Sequence, residues 1–104
     1  MKHRFTAEAL SDYESAVVYY ETQEPGLGVR FILDVDELIS TMLEFPRMGS
    51  VVDGTPPELE IRRCIVQTFG VEIDYMLDTD ELVIVAIFHT SREPGFWLDR
   101  LNRR

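Results

Sequence analysis

Three runs decide the fold: Ile61-Arg62-Arg63-Cys64-Ile65-Val66-Gln67-Thr68, Val71-Glu72-Ile73-Asp74-Tyr75-Met76-Leu77 and Leu82-Val83-Ile84-Val85-Ala86-Ile87-Phe88. The first two repeat with a period of two, the spacing at which strand side chains return to the same face. In the second, Val71, Ile73, Tyr75 and Leu77 line one face and Glu72, Asp74 and Met76 the other. The third is apolar on both faces, which suits a central strand covered on each side. Asp78-Thr79-Asp80-Glu81 joins the last two as a hairpin turn. The stretch predicts a three-stranded antiparallel meander.

Upstream, residues 46–59 read as a loop, because Pro46, Gly49, Gly54, Pro56 and Pro57 break both periodicities. Before it the period is helical. Phe31, Ile32, Val35, Leu38, Ile39, Met42 and Leu43 share one helix face, and Phe45-Pro46 ends the helix. An earlier helix opens at Thr6 as N-cap and carries the narrower stripe Leu10, Tyr13, Val17 and Tyr20. It stops near Glu24-Pro25-Gly26, so Pro25-Gly26-Leu27-Gly28 is the turn of an antiparallel helical hairpin. Residues 2–5 read as a possible edge strand. Downstream, Phe96-Trp97-Leu98-Asp99-Arg100-Leu101 reads as a short helical turn. The predicted class is α+β, one domain over residues 1–104, with the hairpin packed on one sheet face and the other face open.

A chain of 104 residues with 45% hydrophobic and 28% charged content is an ordinary globular domain, able to bury one core without staples. The single cysteine, Cys64, allows no internal disulfide. No run approaches the ~20 apolar residues of a membrane span, and no export signal is visible, so a cytoplasmic protein is expected. The formal charge of −9 argues against broad nucleic-acid binding, which needs Lys and Arg on phosphates. Residues 1–60 carry twelve acidic and four basic side chains, whereas residues 61–104 carry seven and six. Contact with an anion therefore falls to the C-terminal half, where Arg62-Arg63, Arg92, Arg100 and Arg103-Arg104 lie.

No phosphate-cradling glycine loop, Cys/His cluster of metal spacing or nucleophile triad is present, so no cofactor or metal is expected. The residues that draw attention are Arg62-Arg63 on the first meander strand, with His89 and Arg92 at the exit of the last. Adjacent strand residues face opposite ways, so only one of Arg62 and Arg63 can share the open face. Either arginine could pair with Glu72 or Asp74 across the strands, or the set could hold phosphate or a partner's carboxylates. His89 is a structural residue or a general acid–base. Tyr75 reads as a core aromatic. Phe96 and Trp97 either fold back as a lid or anchor a protein interface.

The chain resembles the RelE/ParE toxin superfamily in an ordered set of short motifs. They are Thr6-Ala7-Glu8-Ala9, Pro25-Gly26-Leu27-Gly28-Val29-Arg30-Phe31, Glu44-Phe45-Pro46, Ile61-Arg62-Arg63 and His89-Thr90-Ser91-Arg92-Glu93-Pro94-Gly95-Phe96-Trp97. The set is nearer to the ParE, plasmid-stabilisation branch. The resemblance implies a β-α-α-β-β-β fold and the toxin half of a type II toxin–antitoxin pair. It also implies an antitoxin with a DNA-binding head and a C-terminal segment that is disordered until it docks. ParE-like members are held to inhibit DNA gyrase by binding, and RelE-like members cut mRNA on the ribosome without a metal.

Against the nuclease branch, Lys2 is the only lysine, no tyrosine follows Tyr75, and the 46–59 loop supplies only Arg47 as a cation. The expectation is a gyrase-binding toxin, with Arg62, Arg63, His89, Arg92 and Trp97 toward the target. Tyr13, Tyr20, Asp34 and Glu37 are expected to face the antitoxin, whose docking helix would carry Lys or Arg opposite the acidic hairpin. The alternatives are a ribosome-dependent endoribonuclease using Arg62, Arg63, His89 and Arg92, and a diverged, non-toxic antitoxin-binding module.

Overall fold

The computed structural model describes residues 1–93 and 95–103, without the side chains of Asn102 and Arg103. Pro94 of the C-terminal motif and the Arg103-Arg104 side-chain pair thus lie outside the described residues. Helix α1 spans Ala7–Gln23 and α2 spans Leu27–Glu44. Five strands, β1 Lys2–Phe5, β2 Ser50–Val51, β3 Glu60–Val66, β4 Val71–Asp78 and β5 Glu81–His89, form one sheet in the order β1-β5-β4-β3-β2. β1 runs parallel to β5 and every other pairing is antiparallel. A 3₁₀ turn, Leu98–Arg103, ends the described chain.

Thr6 caps α1, its hydroxyl accepting the Ala9 amide at 3.1 Å. The following helix starts inside the expected turn, at Leu27, because Gly26 alone supplies the left-handed corner at φ 91°. Gly26 has no side chain to cap α2, and Glu21 of α1 does so instead. Its carboxylate accepts the Gly26 and Gly28 amides at 3.0–3.1 Å, where a negative charge also suits the helix dipole.

The face of α2 read from the sequence is the one buried: Phe31, Val35, Ile39 and Met42 are inside. On α1 the stripe is shifted. Ala9 is fully buried and Leu10 is 44% exposed, because the small residue lets the helix approach the sheet. The hairpin covers the face formed by Cys64, Val66, Val71, Ile73, Tyr75, Leu82, Ile84 and Ile87.

Three expectations fail. Residues 46–59 are not all loop, since Ser50 and Val51 pair with Arg63 and Arg62. The first meander strand ends at Val66, and residues 67–70 turn into β4. The far sheet face is also not open. Trp97 folds onto Ile61, Met76, Val83, Val85 and Ala86, with Phe96, Leu98 and Leu101 beside it, giving a second core. A β-bulge supplies part of that core. Asp74 pairs with Ala86 and Tyr75 with Ile84, so Val85 is the extra residue and both Val85 and Ala86 face the tail.

Candidate functional site

The hairpin and the sheet leave a cleft between them. Tyr19 and Tyr20 at the end of α1, Leu27 and Arg30 at the start of α2, Thr68 and Phe69 of the β3–β4 turn, and His89 enclose about 450 Å³. Arg30 and Thr68 also border a second, shallower groove of about 360 Å³. Its α2 wall is Asp34, Glu37, Leu38 and Thr41, at positions i, i+3, i+4 and i+7 and therefore on one helix face. Its other wall is Ile65, Val66 and Gln67. β2 pairs with β3 only at Arg62 and Arg63, so from Cys64 onward the outer edge of β3 carries no strand among the described residues.

The cleft floor is aromatic. The Tyr20 ring packs on Phe31 and Phe69 with centroids 5.0 and 4.7 Å apart. Burial, and secondarily Tyr19, pushes the Tyr20 phenol up, so it stays a neutral donor. The groove is acidic: Asp34 accepts the Thr68 hydroxyl at 2.6 Å and lies 3.5 Å from Arg30. Of the residues expected to meet an antitoxin, Tyr20, Asp34 and Glu37 lie along this continuous surface. Tyr13 does not, its ring being held between Phe5 and Phe31. Arg30, Thr68 and the free edge of β3 were missed in the sequence, where only the Arg30/Asp34 spacing hinted at them.

The cations expected to act together are dispersed. Arg62 shares the hairpin face with Cys64 and is engaged by its own chain, donating to the Gly49 carbonyl at 2.7 Å and to Glu60 at 3.0 Å. The bond to Glu60, after one from Arg47, holds the Glu60 carboxyl below its ordinary range. The expected pairing of Arg62 with Glu72 or Asp74 therefore does not form. His89 borders the hairpin cleft, and its Nδ1 accepts the Ser91 amide at 3.0 Å, which places the neutral ring's proton on Nε2.

Only Arg63 and Arg92 meet, on the tail face, in a pocket of about 230 Å³ shared with Asp53, Glu72 and Asp74. Arg92 lies over the Phe96 ring at 3.9 Å. Trp97 is 1% exposed and packs as a core residue of the tail, as in the fold-back lid reading, and so presents no surface as an anchor toward a target. Arg100, counted among the basic groups free for an anion, is bound bidentately by Asp12 at 2.8 and 3.1 Å.

Asp74 is the unforeseen member. It is fully buried, and neither carboxyl oxygen has a hydrogen-bond partner among the described residues. Burial, with the Glu72 carboxylate beside it, pushes its carboxyl up to about 9, against the pull of Arg63 and the nearby Trp97 indole. Period two put Asp74 on a wet face; the tail made that face dry. Among the described residues no group of three or more His, Cys, Asp or Glu is placed to hold a metal ion, and no helix is long and apolar enough to cross a membrane.

The fold has close counterparts among solved structures. A chain of the chromosomal ParDE toxin–antitoxin system from P. aeruginosa superposes with a TM-score of 0.69 at 16% identity, covering 86% of this chain and 95% of that one. The isolated E. coli RelE toxin superposes with a TM-score of 0.59 at 14% identity, covering 98% and 96%. At such identities the likeness is one of fold. No curated protein sequence matches the chain. The family model described as the ParE toxin of the type II toxin–antitoxin system parDE matches residues 3–94. The chain belongs to the ParE toxin family.

Proposed function

We propose that this ParE-family toxin acts by binding a protein target, DNA gyrase, rather than by cutting RNA, and that its antitoxin fills the hairpin cleft. The observation that carries the first part is the dispersal of the cations. Cleaving a phosphodiester requires several positioned positive charges at the developing phosphorane. Here Arg62 is tied to the Gly49 carbonyl and Glu60, His89 lies on the hairpin side, and Arg63 and Arg92 share their pocket with Asp53, Glu72 and Asp74. A phosphate placed between those two arginines would meet carboxylates as well.

For the antitoxin, the aromatic cleft suits the apolar face of an amphipathic helix, and the free edge of β3 suits an extended segment continuing from it. Asp34 and Glu37 favour Lys or Arg on that segment. Such a complex weakens as salt rises; binding indifferent to ionic strength removes the charge-guided form of docking.

The target is tested with purified toxin and gyrase. Loss of supercoiling or a trapped cleavage complex at micromolar toxin is expected, and unimpeded supercoiling overturns the reading. The one observation favouring the nuclease alternative is that Arg63 and Arg92 do share a pocket. Programmed ribosomes decide it: A-site cuts abolished by Arg92→Ala would establish cleavage, and intact message would exclude it.

A further inference from the structure

The tail-face pocket lies on the sheet face away from the cleft proposed for the antitoxin, and it holds a fully buried carboxyl, Asp74. Asp74 sits at the centre of the sheet with both carboxyl oxygens unpartnered among the described residues, where an apolar residue would pack without the cost of unpaired polar atoms. Its surroundings have the chemistry of a cation receptor. Glu72 lies on the same strand face, Asp53 approaches from the loop after β2, and Trp97 and Phe88 form aromatic walls.

The resident arginines do not fill it. Arg63 stands opposite Asp74 in the register but is exposed, and Arg92 lies over Phe96. Neither makes an ion pair with a described carboxylate. An anion entering between them would face Glu72 and Asp53. The volume, about 230 Å³, suits one side chain.

We infer that this pocket receives a basic side chain, arginine by preference, presented by a protein partner, with its N–H groups directed at Asp74 and Glu72 and its plane against Phe88. In the free protein Asp74 is protonated, because burial and Glu72 outweigh Arg63 and Trp97. Docking therefore exchanges one cation for another. The Asp74 O–H bond breaks, its proton leaves to solvent, and the guest's N–H donors take over the carboxylate. Binding tightens with pH, by up to about tenfold per unit while Asp74 is still protonated in the free chain. Arg63, Arg92, Asp53 and Glu72 are the other charged groups facing it, and they set how steep that dependence is. The inference concerns the sheet face away from the hairpin and stands whether or not the cleft takes an antitoxin.

The test is a titration of the full chain, labelled at the Asp carboxyl carbons, with blocked arginine (N-acetyl-L-arginine N-methylamide), agmatine, blocked norleucine and inorganic phosphate. Expected is a saturable shift of the Asp74 carboxyl and Trp97 indole signals with blocked arginine, tighter at higher pH. Blocked norleucine should leave both signals in place. Asp74→Asn should remove the response and its pH dependence, and Glu72→Gln should weaken it several-fold, keeping the test open if the first variant misfolds. Binding of agmatine alone would make the guest a free amine rather than a side chain. A response to phosphate alone would make the pocket anionic in its preference. A blocked-arginine response appearing only in Arg63→Gln would make Arg63 the resident guest. Any of these, or no response at millimolar probe, overturns the inference.

Discussion

Arg100 of the C-terminal tail and Asp12 of α1 grip each other across the edge of the sheet, with two N–H···O contacts of 2.8 and 3.1 Å. β1 leaves β5 uncovered beyond Ile84, and the pair closes that gap. Arg100 donates to the Val85 carbonyl at 3.0 Å, and Asp12 accepts the Ile87 amide at 3.1 Å. The residue freed by the bulge thus becomes the anchor of the tail. Both side chains are more than four-fifths buried, so removing one strands the other. Asp12→Ala and Arg100→Ala should each cost about 2–4 kcal/mol. The double variant should cost much less than their sum, with Trp97 fluorescence reporting a loosened tail. Additive losses in urea unfolding would show that the two act independently.

Gly28 is required by how closely the two helices approach. A Cβ there would lie 2.9 Å from the Glu21 carboxylate and 3.0 Å from the Val17 carbonyl. Helix propensity favours Gly28→Ala by about 1 kcal/mol, but the clash displaces the carboxylate that caps α2. The expected result is a net loss of about 1–3 kcal/mol in urea unfolding. An unchanged or raised midpoint would show that the helices part at no cost.

Much of this was legible in the sequence, and the misses share one cause. Local periodicity identified both helices and the three long strands, and strand alternation put Arg62 and Arg63 on opposite faces, although both were expected to reach the target. What escaped depends on contacts distant in the chain. Ser50–Val51 became a strand because Tyr75 and Arg62 hold residues 46–49 from across the sheet. Asp74 became buried because Trp97, more than twenty residues later, covers it. A clue was present: β5 is apolar on both faces, which requires a second covering layer, and the apolar tail was available to provide it, as Val52 and Leu59 also do. Tyr20, Asp34 and Glu37 met along one surface since α2 runs beside the short edge of β3, a register that no local pattern encodes.

Tyr75→Phe tests that remote control of the loop. The hydroxyl donates to the Pro46 carbonyl at 2.7 Å and accepts the Gly49 amide at 3.3 Å. Burial, the first cause, pushes the phenol up to about 12, so it holds its proton through the neutral range. Removing it leaves two inward backbone groups unpaired, at a cost of about 1–3 kcal/mol. Amide exchange should speed up at Gly49 and Ser50 before it does in β4. Uniform acceleration across the sheet would instead mean a global loss of stability without a role in holding β2.

Asp74 should give the protein an unusual pH dependence. Its carboxyl titrates near its ordinary value of 3.8 when the chain is unfolded and at about 9 when folded. Between these limits the unfolded chain has released a proton that the folded chain keeps, so folding stability falls as pH rises. The contribution is complete below about pH 4 and gone above about pH 9, with a slope of at most about 1.4 kcal/mol per unit. Arg63 moderates it by drawing the carboxyl down. Asp74→Asn carries no titrating group at that position, so it should gain on the wild type steadily across the window. Urea unfolding of both proteins at several pH values measures the gap. Parallel curves would mean that Asp74 ionises without penalty, and that water or Arg63 already reaches it.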